Sequence, residues 1–213
     1  MPSVTRAGAA RPAVSWARLL FGAVLLAVLG YTYVLGVPSD GPNPFNFFGY
    51  FTNLTNLITG LTFIVTGALG RRGAVLPPTL HLLRGAAVAY MLVVGVIYNT
   101  LIPGTGTAPP WVSLILHAIA PAVVLLDWLF VGDRRRLPWR SLWVIFPYPV
   151  IWLAVVLVRG VTDGWVPYGF LLPSHGAAYV LAHIAGLLLA LTLAGALVWL
   201  CARTPGAAAL TRR

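Results

Sequence analysis

Thr52 and His117 bring a hydroxyl and an imidazole into two long apolar segments of the chain. A threonine hydroxyl becomes a nucleophile when a neighbouring base takes its proton, and histidine is the side chain best suited to do this near neutral pH. Ionisable groups inside membrane helices are costly to bury and often mark a function. We therefore predict Thr52 as a nucleophile and His117 as its base.

The composition predicts that the segments carrying these residues cross a membrane. Of 213 residues, 59% are hydrophobic and 8% are charged, and the mean hydropathy is +0.88, which excludes the solvated surface of a soluble domain. A helix needs about 20 mostly apolar residues to span the hydrocarbon core. The sequence predicts one all-α domain over residues 1–213, a polytopic bundle of six membrane helices at about 15–37, 47–69, 80–102, 111–131, 142–158 and 176–201.

The distribution of arginine predicts the orientation of this bundle. All 14 basic residues are arginines, and only Arg159 falls on the side opposite to the others. By the positive-inside rule, both termini are cytoplasmic and the chain is integral to the plasma membrane. The net charge of +10 comes from short clusters beside the spans, which favours contacts with anionic lipid headgroups at the cytoplasmic face over nucleic-acid binding.

Ideal helix geometry gives a depth for each polar residue. With a rise of about 1.5 Å per residue, Thr52 and His117 both lie roughly 8 Å below the outer helix ends. The other polar residues at this level are Tyr98, Asn99 and His183. A hydroxyl and a base at one depth can meet if their helices are neighbours.

The cytoplasmic half of the bundle, by contrast, is expected to be almost entirely aliphatic. Asp127 and Trp128 fall close to the cytoplasmic end of the fourth span. His81 is expected at the membrane–water interface, at the cytoplasmic end of the third span beside Arg84. The sequence therefore predicts that the polarity of the bundle is one-sided.

The second span carries further hydrogen-bonding groups near Thr52. Helical spacing puts Thr55 and Asn56 on the face of Thr52, with Asn53 displaced by about 100°. This face is costly to expose to lipid and is expected to point into the bundle. It would equally suit structural hydrogen bonds, because Thr and Asn often join membrane helices in this way.

Pro121 follows His117 by four residues in the fourth span. Because proline has no amide hydrogen, the His117 carbonyl loses its helical donor, and a kink beside the imidazole is expected. The alternative to a catalytic histidine here is one that is simply packed and hydrogen-bonded.

The sixth span begins with His175, Tyr179 and His183 at successive steps of four residues. This spacing places the three side chains on one face that leads from the outer surface into the membrane, where they could belong to a site, a proton path or a hydrated vestibule. The small residues next to this face are expected to allow close helix packing; they are Ala182, Gly186, Ala190 and Ala194.

A series of short motifs runs through the spans and the last outer loop: Tyr50-Phe51-Thr52 with Thr55-Asn56, Tyr98-Asn99, His117 with Pro121 and Asp127-Trp128, Arg159-Gly160, and Trp165-Val166-Pro167-Tyr168-Gly169-Phe170-Leu171. In this order they resemble the bacterial branch of the androgen-induced and androgen-dependent membrane protein family, over about residues 15–200. The resemblance implies six transmembrane helices and hydrolysis of fatty acid esters of hydroxy fatty acids by an intramembrane Thr and His. These two residues fall on Thr52 and His117.

The chain departs from the animal members of that family in two places. Pro121 lies one residue nearer to the histidine. Leu171-Leu172-Pro173 lacks the acid that often precedes the final proline of the last outer loop, and Asp163 is the nearest substitute.

The predicted chemistry is hydrolysis of a lipid ester that enters from the outer leaflet. His117 takes the proton from Thr52, whose oxygen attacks the ester carbonyl, and a water later releases the acyl group. Asn53, Asn56 or Tyr98 could donate hydrogen bonds to the oxyanion. The further candidates for substrate contacts are Thr55, Asn99, Tyr179 and His183. This chemistry needs no cofactor and no metal.

Two other classes of protein remain open from the sequence. His117 and His183 could bind a haem or a metal as a pair on two helices. A transporter or a non-catalytic membrane protein is the other alternative, although no charged pair at the bilayer midplane and no inverted repeat with broken helices supports transport.

Overall fold

The fold is an all-α bundle, described by a computed structural model over residues 11–104 and 107–204. Six helices in these ranges are long and apolar enough to cross a membrane, so the predicted six-helix architecture is confirmed. The long helices are α1 (Pro12–Asp40), α3 (Phe51–Arg71), α4 (Pro78–Leu101), α7 (Pro147–Thr162, preceded by a 3₁₀ segment at Trp139–Ile145) and α8 (Ala177–Cys201). The remaining span is built from α5 (Pro110–Leu114), a π-turn (Ile115–Ile119) and α6 (Ala120–Phe130), and α2 (Pro44–Phe47) is a single turn.

Proline and glycine mark many of the helix ends. The first residues of α1, α2, α4, α5 and α7 are prolines, which fits a position where no amide donor is needed and φ is already helical. Gly41, after α1, and Gly176, before α8, take positive φ angles of 79° and 85°, which an L side chain rarely adopts. The positions at which these helices begin or end are therefore determined by proline and glycine in the sequence.

Helices α1 and α3 pack closely through glycines. A Cβ built on Gly22 would lie 2.6 Å from the Gly60 carbonyl oxygen, and one on Gly67 would lie 2.7 Å from the Ser15 carbonyl oxygen. Only glycine permits this approach of two backbones. The close packing expected along Ala182 and Gly186 of α8 is wrong, because both residues are exposed and a Cβ on Gly186 would meet nothing within 4 Å.

Helix α4 lies at the centre of the bundle, whereas α7 lies at its edge. Every residue from Gly85 to Met91 is buried, and this stretch packs in one core with side chains of α1, α3, α6 and α8. In α7 only Val156 is buried, and it belongs to a separate small cluster with Leu171 and Val180. The two clusters leave space between them near one end of the bundle.

We name the two ends of the bundle by their charge. The basic end holds the beginnings of α1 and α4 and the ends of α3, α6 and α8, with the described arginines other than Arg159. The opposite end holds Arg159 and the loops after α1, α4 and α7. Arg6, Arg212 and Arg213, which contribute to the predicted orientation, lie outside the described residues.

The basic half is not aliphatic, and the expectation of one-sided polarity is wrong. Arg18 of α1 and Arg84 of α4 are 2% and 3% exposed, and both bind Asp127 at the end of α6 and Asp133 in the loop that follows. Arg18 Nε lies 2.8 Å from Asp127 Oδ1, and Arg84 Nη2 lies 3.1 Å from Asp133 Oδ1. Opposite charges meet here because burying either sign alone would be far more costly.

This ionic cluster of Arg18, Arg84, Asp127 and Asp133 changes the environment of its neighbours. Burial would raise the pKa of Asp133, but the hydrogen bonds and charges of Arg18 and Arg84 outweigh it and lower that pKa to about 2. His81 is 2% exposed and therefore lies inside the bundle, where we expected an interfacial residue. Three of the arginines that the sequence assigns to lipid contacts, Arg18, Arg84 and Arg134, thus belong to the protein interior.

Candidate functional site

A cavity of about 70 Å³ lies near the opposite end, between α3, α4, α7, α8 and the loop segment around Tyr168. Its wall runs along α4 from Ile102 to Val93, about 13 Å at the ideal helical rise. The wall residues that carry a hydroxyl, Thr52, Tyr98 and Tyr168, lie towards the loops, and the deeper wall along α4 and α8 is aliphatic. No charged side chain is among the described residues that line it.

Thr52 reaches the cavity from the first turn of α3, and Tyr168 approaches it from the loop. The Thr52 side chain and the amide groups of Phe51 and Thr52 lie close enough to the Tyr168 oxygen to act against the effect of burial and lower the pKa of Tyr168. Burial nevertheless raises the pKa of Tyr168 to about 12, so its hydroxyl keeps its proton at neutral pH. Tyr168 can therefore donate a hydrogen bond beside Thr52 but cannot act as a base.

His117 lies in the π-turn between α5 and α6. Its Nδ1 is 2.9 Å from the carbonyl oxygen of Ser113. Because a carbonyl only accepts hydrogen bonds, Nδ1 of the neutral ring carries the proton and Nε2 holds the free lone pair. The ring is thus held in the tautomer that a general base requires at Nε2.

The carbonyls released by the π-turn and Pro121 are bound by two asparagines of neighbouring helices. Asn99 of α4 donates its amide to the His117 carbonyl at 3.0 Å, and Asn56 of α3 donates to the Leu116 carbonyl at 3.4 Å. The same Asn56 amide donates to the Thr52 carbonyl at 2.9 Å. Asn56 and Asn99 thus hold the backbone around the imidazole, and their amide hydrogens are already engaged.

Tyr98 connects the imidazole with the cavity. Its ring stacks on His117 with centroids 3.5 Å apart, and the same ring lines the cavity with Thr52. The Tyr98 hydroxyl donates to Ser113 Oγ at 3.3 Å and accepts from the Gly104 amide at 3.3 Å. Tyr98 is therefore fixed between α4 and α5 on both its face and its hydroxyl.

Thr52 and His117 are on neighbouring elements, but no hydrogen bond between their side chains occurs in the described part of the chain. Two residues link them: Asn56 binds the Thr52 and Leu116 carbonyls, and Tyr98 contacts the His117 ring and shares the cavity with Thr52. Thr52 and His117, which we predict to lie at one depth, are thus linked through Asn56 and Tyr98, and their side chains form no direct hydrogen bond in the described part of the chain.

The remaining candidates from the sequence have other partners. Asn53 donates to the Phe47 carbonyl at 2.9 Å, and the Thr55 hydroxyl lies 3.0 Å from that of Tyr148. His183 stacks between Tyr179 and Phe170, and Phe170 lines the cavity. None of these candidates is among the described residues that line the cavity, and the His183 ring lies against one that is, Phe170.

Sequence reasoning gave no role to the aromatic residues that close the cavity. Tyr168 and Phe170 stack almost parallel, at 2°, and Trp152 of α7 donates to the Gly49 carbonyl at 2.8 Å. All three line the cavity. The density of aromatic residues in the loop after α7 was the available signal.

No group of three or more His, Cys, Asp or Glu side chains that could hold a metal ion occurs within residues 11–104 and 107–204. The two histidines of the haem alternative, His117 and His183, each have Nδ1 2.9 Å from the carbonyl of the residue four positions earlier.

No protein-family model matches the chain, and neither a curated protein nor a solved structure is significantly similar to it. The fold itself supports an integral membrane protein with six helices that could span the bilayer. Between these helices lies a mostly apolar cavity with Thr52, Tyr98 and Tyr168 towards one end.

Proposed function

We propose that the protein is an intramembrane hydrolase of lipid esters, with Thr52 as the nucleophile and His117 as the base. The observation that supports this most is the cavity itself, which has hydroxyls at one end and an aliphatic wall along about 13 Å of helix. An amphiphile fits such a shape with its acyl chain along α4 and α8 and its ester beside Thr52. The family resemblance supports the same chemistry.

In the proposed reaction the Thr52 oxygen attacks the ester carbonyl while its proton passes to His117 Nε2. The imidazolium then protonates the departing alcohol, leaving an acyl group on Thr52. A water attacks this acyl group, gives its proton to Nε2, and the acid leaves as the proton returns to Thr52. Proton transfer requires Nε2 to reach the Thr52 hydroxyl directly or through one water, an arrangement that substrate binding has to complete.

Tyr168 is the best-placed donor for the oxyanion. Its hydroxyl is protonated, lies beside Thr52 and lines the cavity. The amides of Asn53 and Asn56 are engaged with backbone carbonyls, and the Tyr98 hydroxyl donates to Ser113. One donor at this position typically contributes about 10² to 10³ in rate.

The test is labelling of membranes with a fluorophosphonate probe that captures activated hydroxyls. Wild type is compared with Thr52→Ala and His117→Ala at matched folded levels. Thr62→Ala is the control, because Thr62 lies on the same helix, is 3% exposed and donates to the Ile58 carbonyl away from the cavity. We expect labelling of wild type and Thr62→Ala and its loss in the other two variants. Unchanged labelling of Thr52→Ala would refute the nucleophile.

A second candidate is a lipid-binding protein without catalysis, and the missing hydrogen bond between Thr52 and His117 favours it. A photoreactive fatty acid separates the two. Both functions predict crosslinks to the residues of the cavity wall, but binding alone predicts no fluorophosphonate labelling and equal crosslinking of wild type and Thr52→Ala.

A further inference from the structure

Two polar atoms in the middle of α3 accept no hydrogen bond from the described residues: Asn56 Oδ1 and Thr59 Oγ1. Both side chains are 0% exposed. They are three residues apart, so they are neighbours on one face of the helix. A buried polar atom without a partner costs free energy, and two adjacent ones indicate a ligand between them.

Thr59 differs from other threonines within the helices. The hydroxyls of Thr62, Thr66, Thr32, Thr100, Thr162 and Thr192 all donate to the carbonyl four residues earlier, at 2.7 to 2.9 Å. The Thr59 hydroxyl could donate to the Thr55 carbonyl in the same way, but it forms no hydrogen bond with the described residues. Its hydroxyl is therefore turned away from its own helix turn.

Asn56 fixes where this pair lies. Its amide nitrogen donates to the carbonyls of Thr52 and Leu116, so its oxygen belongs to the interface between α3 and the π-turn that holds His117. With the nitrogen bound to two carbonyls, the orientation of the amide is settled, and Oδ1 remains as an acceptor.

We propose that Asn56 Oδ1 and Thr59 Oγ1 bind an ordered water molecule between α3 and the π-turn. Water suits the pair because it can donate to Asn56 Oδ1 and either donate to the Thr59 oxygen or accept from the Thr59 hydroxyl. A hard cation is a poor alternative, since Ca²⁺ and Mg²⁺ take six or more oxygen ligands. The proposed site is a binding site for water on a buried face of α3, next to the cavity and not on its wall.

The role of this water rests on the proposed function. Release of the acyl group from Thr52 consumes one water, and the apolar cavity wall offers few places to hold one. Asn56 lies one helical turn and Thr59 two turns from Thr52, and the Asn56 amide binds the carbonyl of Leu116, the residue before His117. The oxygen of this water would attack the acyl carbonyl, its proton would pass to His117 Nε2, and the acid would leave as Thr52 regains a proton.

The water site is tested with Thr59→Val, which removes the hydroxyl at nearly constant volume, and Thr62→Val as its control. X-ray radiolytic labelling of the full-length protein in nanodiscs oxidises side chains close to bound water. Phe63, one turn from Thr59 and 5% exposed, is expected to be oxidised in wild type and Thr62→Val and several-fold less in Thr59→Val. A wild-type Phe63 that is not oxidised would overturn the site.

The direction in which Thr59→Val shifts the midpoint of thermal unfolding gives an independent test of the water site. If water binds Thr59, its loss in Thr59→Val lowers the midpoint by about 2–4 °C relative to Thr62→Val. If the hydroxyl is dry and unpaired, valine removes a penalty and the midpoint rises, which contradicts the proposal.

The hydrolytic role is tested with a medium-chain p-nitrophenyl ester. Thr59→Val is expected to keep the initial burst and to lose about tenfold in steady-state turnover, with acyl-Thr52 accumulating in the mass spectrum. Equal turnover of Thr59→Val and wild type would exclude this role. A wild type without any turnover would refute the hydrolase, while Phe63 oxidation would still decide whether the water site exists.

Discussion

The two ends of the bundle bury polar groups in opposite ways. At the basic end, Asp127 and Asp133 each bind both Arg18 and Arg84, so that positive and negative charges balance. At the opposite end, the residues of the cavity wall that carry polar groups are neutral: Thr52, Tyr98 and Tyr168 bear hydroxyls, and no charged side chain is among the described residues that line it.

The difference separates groups that hold the fold from groups that can react. A carboxylate with two arginine partners has little capacity left for a ligand, and breaking such a pair leaves an uncompensated charge. A neutral hydroxyl on a cavity wall costs less to bury and can exchange its partner for a substrate. Residues with stronger interactions are thus the poorer candidates for function in this protein.

Removing one charged side chain of the ionic cluster should have the largest effect, and this effect should be on the stability of the fold. We expect Arg18→Met to lower the free energy of unfolding by about 3–5 kcal/mol, because two aspartates lose a buried partner. Denaturant unfolding in detergent measures this. Arg136→Met, an exposed arginine near the same end, should change it by less than about 0.5 kcal/mol. Equal effects of the two variants would show that the ionic cluster does not hold the fold.

Removing the Tyr168 hydroxyl should act on activity alone. We expect Tyr168→Phe to slow fluorophosphonate labelling by about 10² to 10³, because the oxyanion loses its donor. Its thermal midpoint should stay near that of wild type. Tyr31→Phe, which changes an exposed tyrosine outside the cavity, is the control. Normal labelling of Tyr168→Phe would assign the oxyanion to another group.

Acid should weaken the basic end before the cavity end. The pKa of Asp133 is lowered in the fold from 3.8 to about 2, so its carboxylate stabilises the fold above pH 4 and this contribution disappears as the pH falls towards 2. The pKa difference corresponds to about 2 kcal/mol. Unfolding measured between pH 5 and pH 2 should show this loss in wild type and a smaller one in Asp133→Asn. An equal slope in both would contradict the assignment.

Releasing the His117 carbonyl should have the smallest effect. Asn99→Ala removes its amide donor, and we expect a loss of about 1 kcal/mol in stability. Activity should fall as well if the π-turn positions the imidazole. Thr100→Ala is the control, because Thr100 is the next residue and its hydroxyl donates to the Val96 carbonyl of its own helix. Unaltered stability and labelling of Asn99→Ala would show that the asparagine does not hold the turn.

Much of the fold follows from the sequence, because hydropathy summed over about 20 residues is a strong signal. The prediction that Pro121 frees the His117 carbonyl is consistent with the structure, since proline acts locally. The identity of the donor, Asn99 of α4, depends on how two helices are rotated. Whether Thr52 meets His117 depends in the same way on how α3 is rotated against the π-turn. Helix rotation is set by contacts between elements far apart in the sequence, and it cannot be read from depth.

The ionic cluster escaped prediction for a different reason. Arginines near helix ends usually indicate the cytoplasmic flank, and Arg18 and Arg84 fit that pattern. One of their two partners, Asp133, lies in a loop, and its distance in sequence from Arg18 gives no local signal. Charges that are far apart in the chain pair only once the bundle has assembled.

The π-turn at Ile115–Ile119 also makes the rotational position of the helix at the basic end independent of that at the opposite end. A π-turn accommodates an extra residue, so the helix after it is rotated by about 100° relative to an uninterrupted α-helix. The direction of Asp127 and Trp128 at the basic end is therefore not tied to the direction of Trp111 and Val112 at the other. Deleting one residue of the turn would restore a regular α-helix. Side chains could then keep their present direction at only one of the two ends, because the other end would be rotated. Through this turn, a single helix can serve two interiors that differ in chemistry.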